Sequence, residues 1–292
     1  MTPDPLVLQL CGLGVWTPGF ADAAAWARGE VGRSDEPASQ TPRAELLPPM
    51  LRRRTSLLTR MAAEVAAQAI ASGGLDPAIV TVIYGSVYGE IRTTLDLLGA
   101  LLTTDALSPT KFHNSVHNTA GGYVSIAARN HGGNAALTAG RSTLAMGLLE
   151  CAGLLGAGDD PAVLVIAEES LPEPLAAGRV YGPLAAAFAL RRPGVAGPVV
   201  PSVQPVPSIQ SIQAVPWNMS GRTCRLRQGS RDEATAAHRL PASLVDNPCA
   251  QALVLVDAVL RAEASVVALE PQLPADARGW LLELDARPEV ST

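Results

Sequence analysis

Lysine is almost absent from this chain of 292 residues, since Lys111 is the only one and the positive charge otherwise rests on arginine. We interpret this shortage as coding bias without functional meaning. Acidic residues outnumber basic ones, 27 against 22, which gives a formal net charge of -5 and a pI near 5.4. A protein whose main ligand is a nucleic acid usually presents a basic surface. The charge balance therefore argues against nucleic acid as the principal partner.

Long hydrophobic runs and closely spaced cysteines are missing as well. The first apolar segment, residues 6–15, is too short to span a bilayer and has no basic stretch before it, so we expect no membrane span and a cytoplasmic protein. Cys11, Cys151, Cys224 and Cys249 are far apart in the chain and form no Cys-x-x-Cys pair. This spacing favours buried thiols over disulfides or metal ligands.

The pattern of apolar segments predicts an α/β fold. Hydrophobic residues make up 48% of the chain, enough to bury a full core, and short apolar runs alternate with longer amphipathic ones. Strands are predicted at 6–12, 79–84, 135–139 and 162–167, with a fifth at an edge, 188–191. Helices are predicted at 56–71, 93–102, 119–130 and 142–155. We expect a mixed, mostly parallel five-stranded sheet covered by helices on both faces.

From Pro193 onward the composition changes. Residues 199–216 alternate proline with Ser, Gln and Val, and such a segment sustains neither a helix nor a central strand. A helical pattern returns at 248–263, and an alternating one at 279–285 predicts a half-buried strand. The expected organisation is a core at 1–193, a Pro-rich and partly disordered insertion at 194–245, and a helix and strand at 246–292 that complete the core.

The segment 137–144, Leu-Thr-Ala-Gly-Arg-Ser-Thr-Leu, is predicted to be a sharp turn from a strand into a helix. The apolar residues before it end at Gly140, and Leu144, Leu148 and Leu155 recur at helical spacing after it. Turns of this kind present a nucleophile at a helix N-terminus, whose amides and dipole stabilise a thiolate or an oxyanion. Gly140 has no side chain to present.

Residues 108–150 resemble the active-site half of a β-ketoacyl synthase of the thiolase superfamily. In those enzymes a Thr-Ala-Cys at the turn carries the acyl chain, and the matching residues here are Thr138, Ala139 and Gly140. The block 112–123, Phe-His-Asn-Ser-Val-His-Asn-Thr-Ala-Gly-Gly-Tyr, is similar to the ketosynthase-like subunits of chain-length-factor type that are found with aryl polyene pigment clusters. Three further segments agree with that family: 10–17, 51–67 and 84–89.

This resemblance implies a subunit that has lost its own chemistry and forms a heterodimer with an active ketosynthase in a type II polyketide or fatty acid-like pathway. An acyl carrier protein is the further partner, and no cofactor is implied. A complete ketosynthase has two catalytic histidines in Gly-rich contexts, and none of His113, His117, His131 and His238 fits that pattern. Condensation needs a thiolate for the acyl chain and donors for the enolate. By the resemblance, this chain supplies neither.

The resemblance also implies where the partner binds. Thiolase-fold subunits associate through the sheet edge near the turn, so residues 107–123 are expected to reach towards the partner's acyl tunnel. Phe112, His113, His117 and Tyr123 are the side chains expected to line or close its end. A bulky residue there would limit product length, because a packed wall does not admit further methylenes without strain. Alternatively, Phe112 and Tyr123 are ordinary interface core.

An arginine-rich stretch at the start of the long helix is a candidate docking site for the acidic carrier protein. It contains Arg52, Arg53, Arg54 and Arg60. Arginine at a helix start is not favoured by the helix dipole, which invites a functional explanation. A solvated face or internal salt bridges are the other explanation.

Two rival functions stay open. Ser142 could be a displaced nucleophile with His113 or His117 as its base, in a stand-alone acyltransferase or esterase, although a residue at this helical position usually caps amides. The other rival is a scaffold that only stabilises its partner. His113 and His117 also have the i, i+4 spacing of a helical metal pair, but no Glu-bearing zinc pattern surrounds them, and we expect no metal.

Overall fold

A single eight-stranded sheet forms the centre of the computed structural model, which describes residues 6–29, 40–104, 107–158, 161–173, 175–194, 222–236, 240–261, 263–274 and 277–286. The strands are β1 (Leu6–Trp16), β2 (Thr81–Gly85), β3 (Asn134–Leu137), β4 (Ala162–Glu168), β5 (Leu184–Arg191), β6 (Arg222–Ser230), β7 (Ser265–Ala268) and β8 (Arg278–Leu284). Across the sheet they lie in the order β3-β2-β4-β5-β1-β6-β8-β7.

The strand directions confirm the α/β class but correct the predicted sheet. β2 is parallel to β3 and to β4, whereas the five other neighbouring pairs are antiparallel. The sheet is therefore mostly antiparallel and has eight strands, whereas the sequence predicted a mostly parallel sheet of five strands. The predicted edge strand at 188–191 belongs to β5, which lies between β4 and β1. A strand buried on both faces is a continuous apolar run whatever the direction of its neighbours, so the pattern did not distinguish the two cases.

Eight helices cover the sheet in the described ranges. They are α1 (Ala23–Arg28), α2 (Pro49–Arg52), α3 (Leu57–Ser72), α4 (Ile91–Thr104), α5 (Pro109–His113), α6 (Thr119–Ala128), α7 (Thr143–Ala157) and α8 (Gln251–Leu260). Short 3-10 turns occur at Gly140–Ser142, Arg231–Glu233 and Ala242–Leu244. None of the helices in these parts of the chain combines the length and apolarity that a membrane crossing requires.

The core consists of two apolar layers, one on each face of the sheet. In β5 the larger side chains, such as Leu184 and Phe188, face the layer formed with α7, α8 and α1. The alternate residues Ala185, Ala187 and Ala189 face the layer formed with α3 and α6. Because successive side chains of a strand point to opposite faces, this alternation lets helices pack on both sides. Small residues on the α3 side allow that helix to lie close to the sheet.

The range that the sequence assigned to a Pro-rich insertion, 194–245, contains a strand of the central sheet. β6 pairs antiparallel with β1 on one side and with β8 on the other. Cys224 and Leu226 are buried, while Arg225 and Arg227 point to the other face and form ion pairs with Asp285 and Glu283. This alternation was the available sequence signal for β6. The proline-rich residues 199–216 lie outside the described residues.

Candidate functional site

The turn between β3 and α7, here called the elbow, leads from the strand into the helix through Gly140. Gly140 has φ +57°, the left-handed region that favours glycine, and an added Cβ would meet no atom within 4 Å. Thr143 holds the turn closed, because its Oγ1 accepts from Ala139 N at 3.0 Å and donates to Gly140 O at 2.6 Å. The space beside the Gly140 Cα is thus open.

Ser142, the alternative nucleophile, lies at the end of the turn and contacts the C-terminal part of the chain. Its hydroxyl donates to Glu270 Oε1 at 2.6 Å and accepts from Gln272 Nε2 at 3.3 Å. Ser142 makes no side-chain hydrogen bond to the amides of α7. Within the described residues, no histidine is among its hydrogen-bond partners, so the structure does not form the serine–histidine pair that the rival function would need.

His113 and His117 do not share a helical face, which corrects the predicted helical spacing. α5 ends at His113, and residues 114–118 form turns. The His113 ring lies edge-on to Tyr123 with the ring centroids 6.1 Å apart. His117 Nε2 lies 3.0 Å from Leu137 O, and its Nδ1 borders Gly89. In the described parts of the chain no group of three or more His, Cys, Asp or Glu side chains could hold a metal.

The side chains expected at the partner's tunnel differ in exposure. Phe112 is 58% exposed on α5, and His113 is exposed beside it. Tyr123 is buried and its hydroxyl donates to Asn114 Oδ1 at 2.9 Å, while Asn114 Nδ2 donates to Arg54 O at 2.8 Å. The structure therefore presents Phe112 on the surface and uses Tyr123 to fasten the segment after α5 to the core.

The four arginines do not form one face of the long helix. α3 begins at Leu57, so only Arg60 belongs to it, and its Nε donates to Ser56 O at 3.2 Å. Arg52 ends the short helix α2 and donates to Arg43 O at 2.7 Å. Arg53 and Arg54 lie in the turn between α2 and α3 and are exposed.

Two adjacent carboxylates near the elbow, Glu168 and Glu169, were missed by the sequence reasoning. Glu168 ends β4 and is buried, and its Oε2 accepts hydrogen bonds from Ser86 Oγ at 2.9 Å and Val87 N at 2.6 Å. Val87 O in turn accepts from Thr138 Oγ1 at 3.2 Å, so the carboxylate supports the elbow through this loop. Burial raises the pKa of both glutamates to about 7. Two glutamates directly after an apolar strand were the available signal.

The remaining histidines and the cysteines show no catalytic arrangement in the described residues. His131 is exposed in the turn before β3, and His238 lies outside the described residues. Cys151, Cys224 and Cys249 are buried thiols, as expected from their spacing, whereas Cys11 is only half-buried. Burial raises the pKa of each, that of Cys224 to about 12, which leaves them protonated and unreactive at neutral pH.

The family comparison agrees with this geometry. Residues 24–240 match the family model described as β-ketoacyl synthase, N-terminal domain. The chain belongs to this family. The β-ketoacyl synthase match begins in α1 and ends after β6, so it includes the elbow, β5 and the segment after α5. A comparison with curated protein sequences returns no match.

Solved structures with a similar fold come from ketosynthase complexes. A chain of the ketosynthase ApeO in complex with its chain length factor ApeC from Xenorhabdus doucetiae has a TM-score of 0.65 and 19% identity, covering 95% of this chain and 99% of that one. The ishigamide ketosynthase/chain length factor has a TM-score of 0.63 and 13% identity, covering 97% of this chain and 100% of that one. The type II AntDE:AntF complex of a ketosynthase with its acyl carrier protein has a TM-score of 0.52 and 15% identity, covering 64% of this chain and 62% of that one. At these identities the likeness shows a shared fold. The predicted resemblance to β-ketoacyl synthases is confirmed by the family model.

Proposed function

We propose that this ketosynthase-like protein is a catalytically degenerate subunit of chain-length-factor type, which pairs with an active ketosynthase in type II polyketide or fatty acid-like biosynthesis. Aryl polyene supply is the pathway that the block 112–123 favours. The observation that carries the proposal is Gly140, which stands at an open elbow in a conformation suited to glycine. Without a thiol this position cannot hold a thioester.

The proposed partner surface surrounds the edge strand β3. β3 is the last strand of the sheet, and its residues after Asn134 are only half-buried. Large exposed apolar side chains lie on α6, which packs against β3, and on the chain before α6: Ile126 on the helix, and Leu107, Phe112 and Val116 before it. An edge strand bordered by apolar side chains is suited to pair with a second sheet. This supports the placement of the ketosynthase partner, and so does the presence of ketosynthases with their chain length factors among the similar folds.

The direct test compares this chain alone, its ketosynthase partner alone, and the two co-expressed proteins with carrier protein and malonyl units. Elongation should require the partner and should be absent with this chain alone. Appreciable elongation by the isolated chain would refute the proposal. Failure of the two proteins to co-purify would refute the pairing.

Phe112 is the proposed side chain at the end of the partner's acyl tunnel. Phe112→Ala should lengthen the products of the reconstituted complex, because removing an exposed ring at a tunnel wall makes room for further methylenes. Mass spectrometry of the released acyl chains measures this. Lys111→Ala, a truncation of the exposed neighbour on the same short helix, is the matched control. Unchanged products from Phe112→Ala would leave this ring as interface packing only.

Arg53 and Arg54 form the proposed contact with the acidic carrier protein. Both are exposed, whereas Arg52 makes a local hydrogen bond and Arg60 is half-buried. Reversal of both charges to glutamate should raise the KM for carrier protein and leave product length unchanged. Arg129→Glu, at the exposed end of α6, controls for net charge. Unaltered carrier-dependent turnover would exclude this docking site.

The rival proposal of acyl transfer by Ser142 has less support, because Glu270 and Gln272 occupy its hydroxyl. Intact-mass spectrometry after exposure to acyl carrier protein decides between the two. A stand-alone acyltransferase must show a covalent adduct that Ser142→Ala abolishes, whereas the accessory subunit shows none. Unchanged product lengths in all tunnel variants would favour the purely structural scaffold.

A further inference from the structure

A cleft of about 450 Å³ lies beside the elbow, between the start of α7 and the C-terminal part of the chain. Its size falls within the range of small-molecule sites. Two arginines line it, Arg141 from the elbow and Arg231 from the 3-10 turn after β6. Gln251 and Gln272 add amide groups, and the apolar wall includes Val245 and Pro248.

The polar groups of the cleft favour an anion. Within the described residues neither Arg141 nor Arg231 forms an ion pair, and Arg231 donates only a long hydrogen bond of 3.4 Å to Leu273 O. The nearby carboxylate of Glu270 is already engaged, because Oε1 accepts from Ser142 Oγ and Oε2 accepts from Trp280 N at 3.0 Å. The N-terminus of the 15-residue helix α7 lies at the same place and adds partial positive charge.

The apolar residues of the cleft indicate that its ligand also carries a hydrocarbon chain. Val245, Pro248 and Ala250 add hydrocarbon surface to the cleft that the two arginines line, so a ligand with a short apolar chain gains by covering it. Gln272 also donates to Ser142 Oγ, which joins the floor of the cleft to the elbow. A bound molecule would therefore contact both the elbow and the segment after β7.

We infer that this cleft binds a small amphiphilic anion, a carboxylate or phosphate monoester on a short apolar chain, held by Arg141 and Arg231. The inference does not rest on the proposed pairing with a ketosynthase, because the observations behind it are the cleft and the side chains of this chain. Binding can therefore be measured on the full chain without a partner, and the result does not depend on whether the proposed function is correct.

Isothermal titration calorimetry of the full chain with hexanoate tests the inference. Hexanoate should bind with a dissociation constant in roughly the millimolar range, as expected for so small a ligand. Hexanamide, which has nearly the same shape without the charge, should bind at least about 10-fold more weakly. Hexyl phosphate distinguishes the two sources of anion: tighter binding than hexanoate identifies a phosphate site, and weaker binding identifies a carboxylate site.

Variants locate the binding site. Arg141→Gln and Arg231→Gln should each weaken hexanoate binding by about 10-fold, whereas Arg129→Gln, at the exposed residue that follows α6, should leave it unchanged. Val245 is 53% exposed, so Val245→Trp should fill the cleft and abolish binding without lowering the Tm. Any of four results would overturn the inference. The first two are binding of hexanamide as tight as that of hexanoate, and weakening by Arg129→Gln as large as that by the two cleft variants. The other two are unchanged binding to Val245→Trp and no detectable binding of hexanoate at all.

Discussion

At the scale of single residues, the Arg222 guanidinium donates five hydrogen bonds to backbone carbonyls. It is buried at the start of β6, where Nε donates to Asp285 O at 2.6 Å and Nη1 donates to Ala258 O and Val259 O at 2.8 and 2.9 Å. Further bonds reach Arg261 O and Glu263 O. These carbonyls lie at and beyond the C-terminal end of α8, where a cation also opposes the negative end of the helix dipole. One guanidinium thus fastens α8 to the sheet.

We predict that Arg222→Met lowers the free energy of unfolding by about 3 kcal/mol, since methionine fills the space but leaves several buried carbonyls without a donor. Urea unfolding followed by circular dichroism measures the change. Arg278→Met on the exposed end of β8 is the matched control and should change stability by less than about 0.5 kcal/mol. Equal losses in the two variants would contradict the fastening role.

The elbow gives the second prediction at this scale. Gly140→Cys should cost about 1 kcal/mol, the strain of a side chain in the left-handed region, and Gly140→Ala should cost the same. The new thiol should react with iodoacetamide faster than Cys151, Cys224 and Cys249, because burial raises the pKa of those three. Peptide mass mapping of the labelled protein reads out the sites. If the thiol introduced by Gly140→Cys reacts as slowly as the native thiols, the elbow is closed.

At the scale of elements, α3 packs directly against the backbone of β1. Gly12 and Gly14 face this helix, and a Cβ on Gly14 would lie 2.1 Å from Val65 O. Gln68 on the same helix accepts from Val15 N at 2.9 Å, so the helix is also hydrogen-bonded to the strand. The two glycines of β1 therefore set the distance between the helix layer and the sheet.

Gly14→Ala should lower the free energy of unfolding by about 2 kcal/mol, because the helix backbone must move to admit one methyl group. Gly99→Ala is the control, with an effect of opposite sign. Gly99 lies in the exposed helix α4, where an added Cβ meets nothing within 4 Å. The change should therefore raise the free energy of unfolding by about 0.5 kcal/mol. Thermal unfolding of both variants measures the pair. A neutral Gly14→Ala would mean that the layer spacing tolerates a side chain.

Sequence periodicity located most elements, including α3, α7 and the elbow, because their signals repeat within a few residues. It did not give the sheet order, since β5 and β6 pair with β1 across long stretches of chain. Local sequence patterns likewise predicted only part of the candidate site. Gly140 was evident from the local motif, but the contact of Ser142 with Glu270 joins residues 128 positions apart, and no local pattern encodes it.

At the scale of the whole molecule, buried carboxyl groups make stability depend on pH. Glu64, Glu90, Glu168 and Glu169 all have their pKa raised, first of all by burial, from the ordinary value of 4.5. Between pH 4.5 and about 7 the folded protein therefore binds more protons than the unfolded chain. Stability must fall as the pH rises through this window, because the folded state then has to bury carboxylate charge.

Glu168→Gln should flatten this pH dependence. Glutamine keeps the acceptor for Val87 N and Ser86 Oγ but cannot ionise, so the variant should lose about 2 kcal/mol less stability than the native protein between pH 5 and pH 8. Urea unfolding at half-unit pH steps measures the two curves. Glu150→Gln, on the exposed surface of α7, should leave the native curve unchanged. Parallel curves for Glu168→Gln and the native protein would show that this carboxyl ionises in the folded state as readily as in the unfolded one.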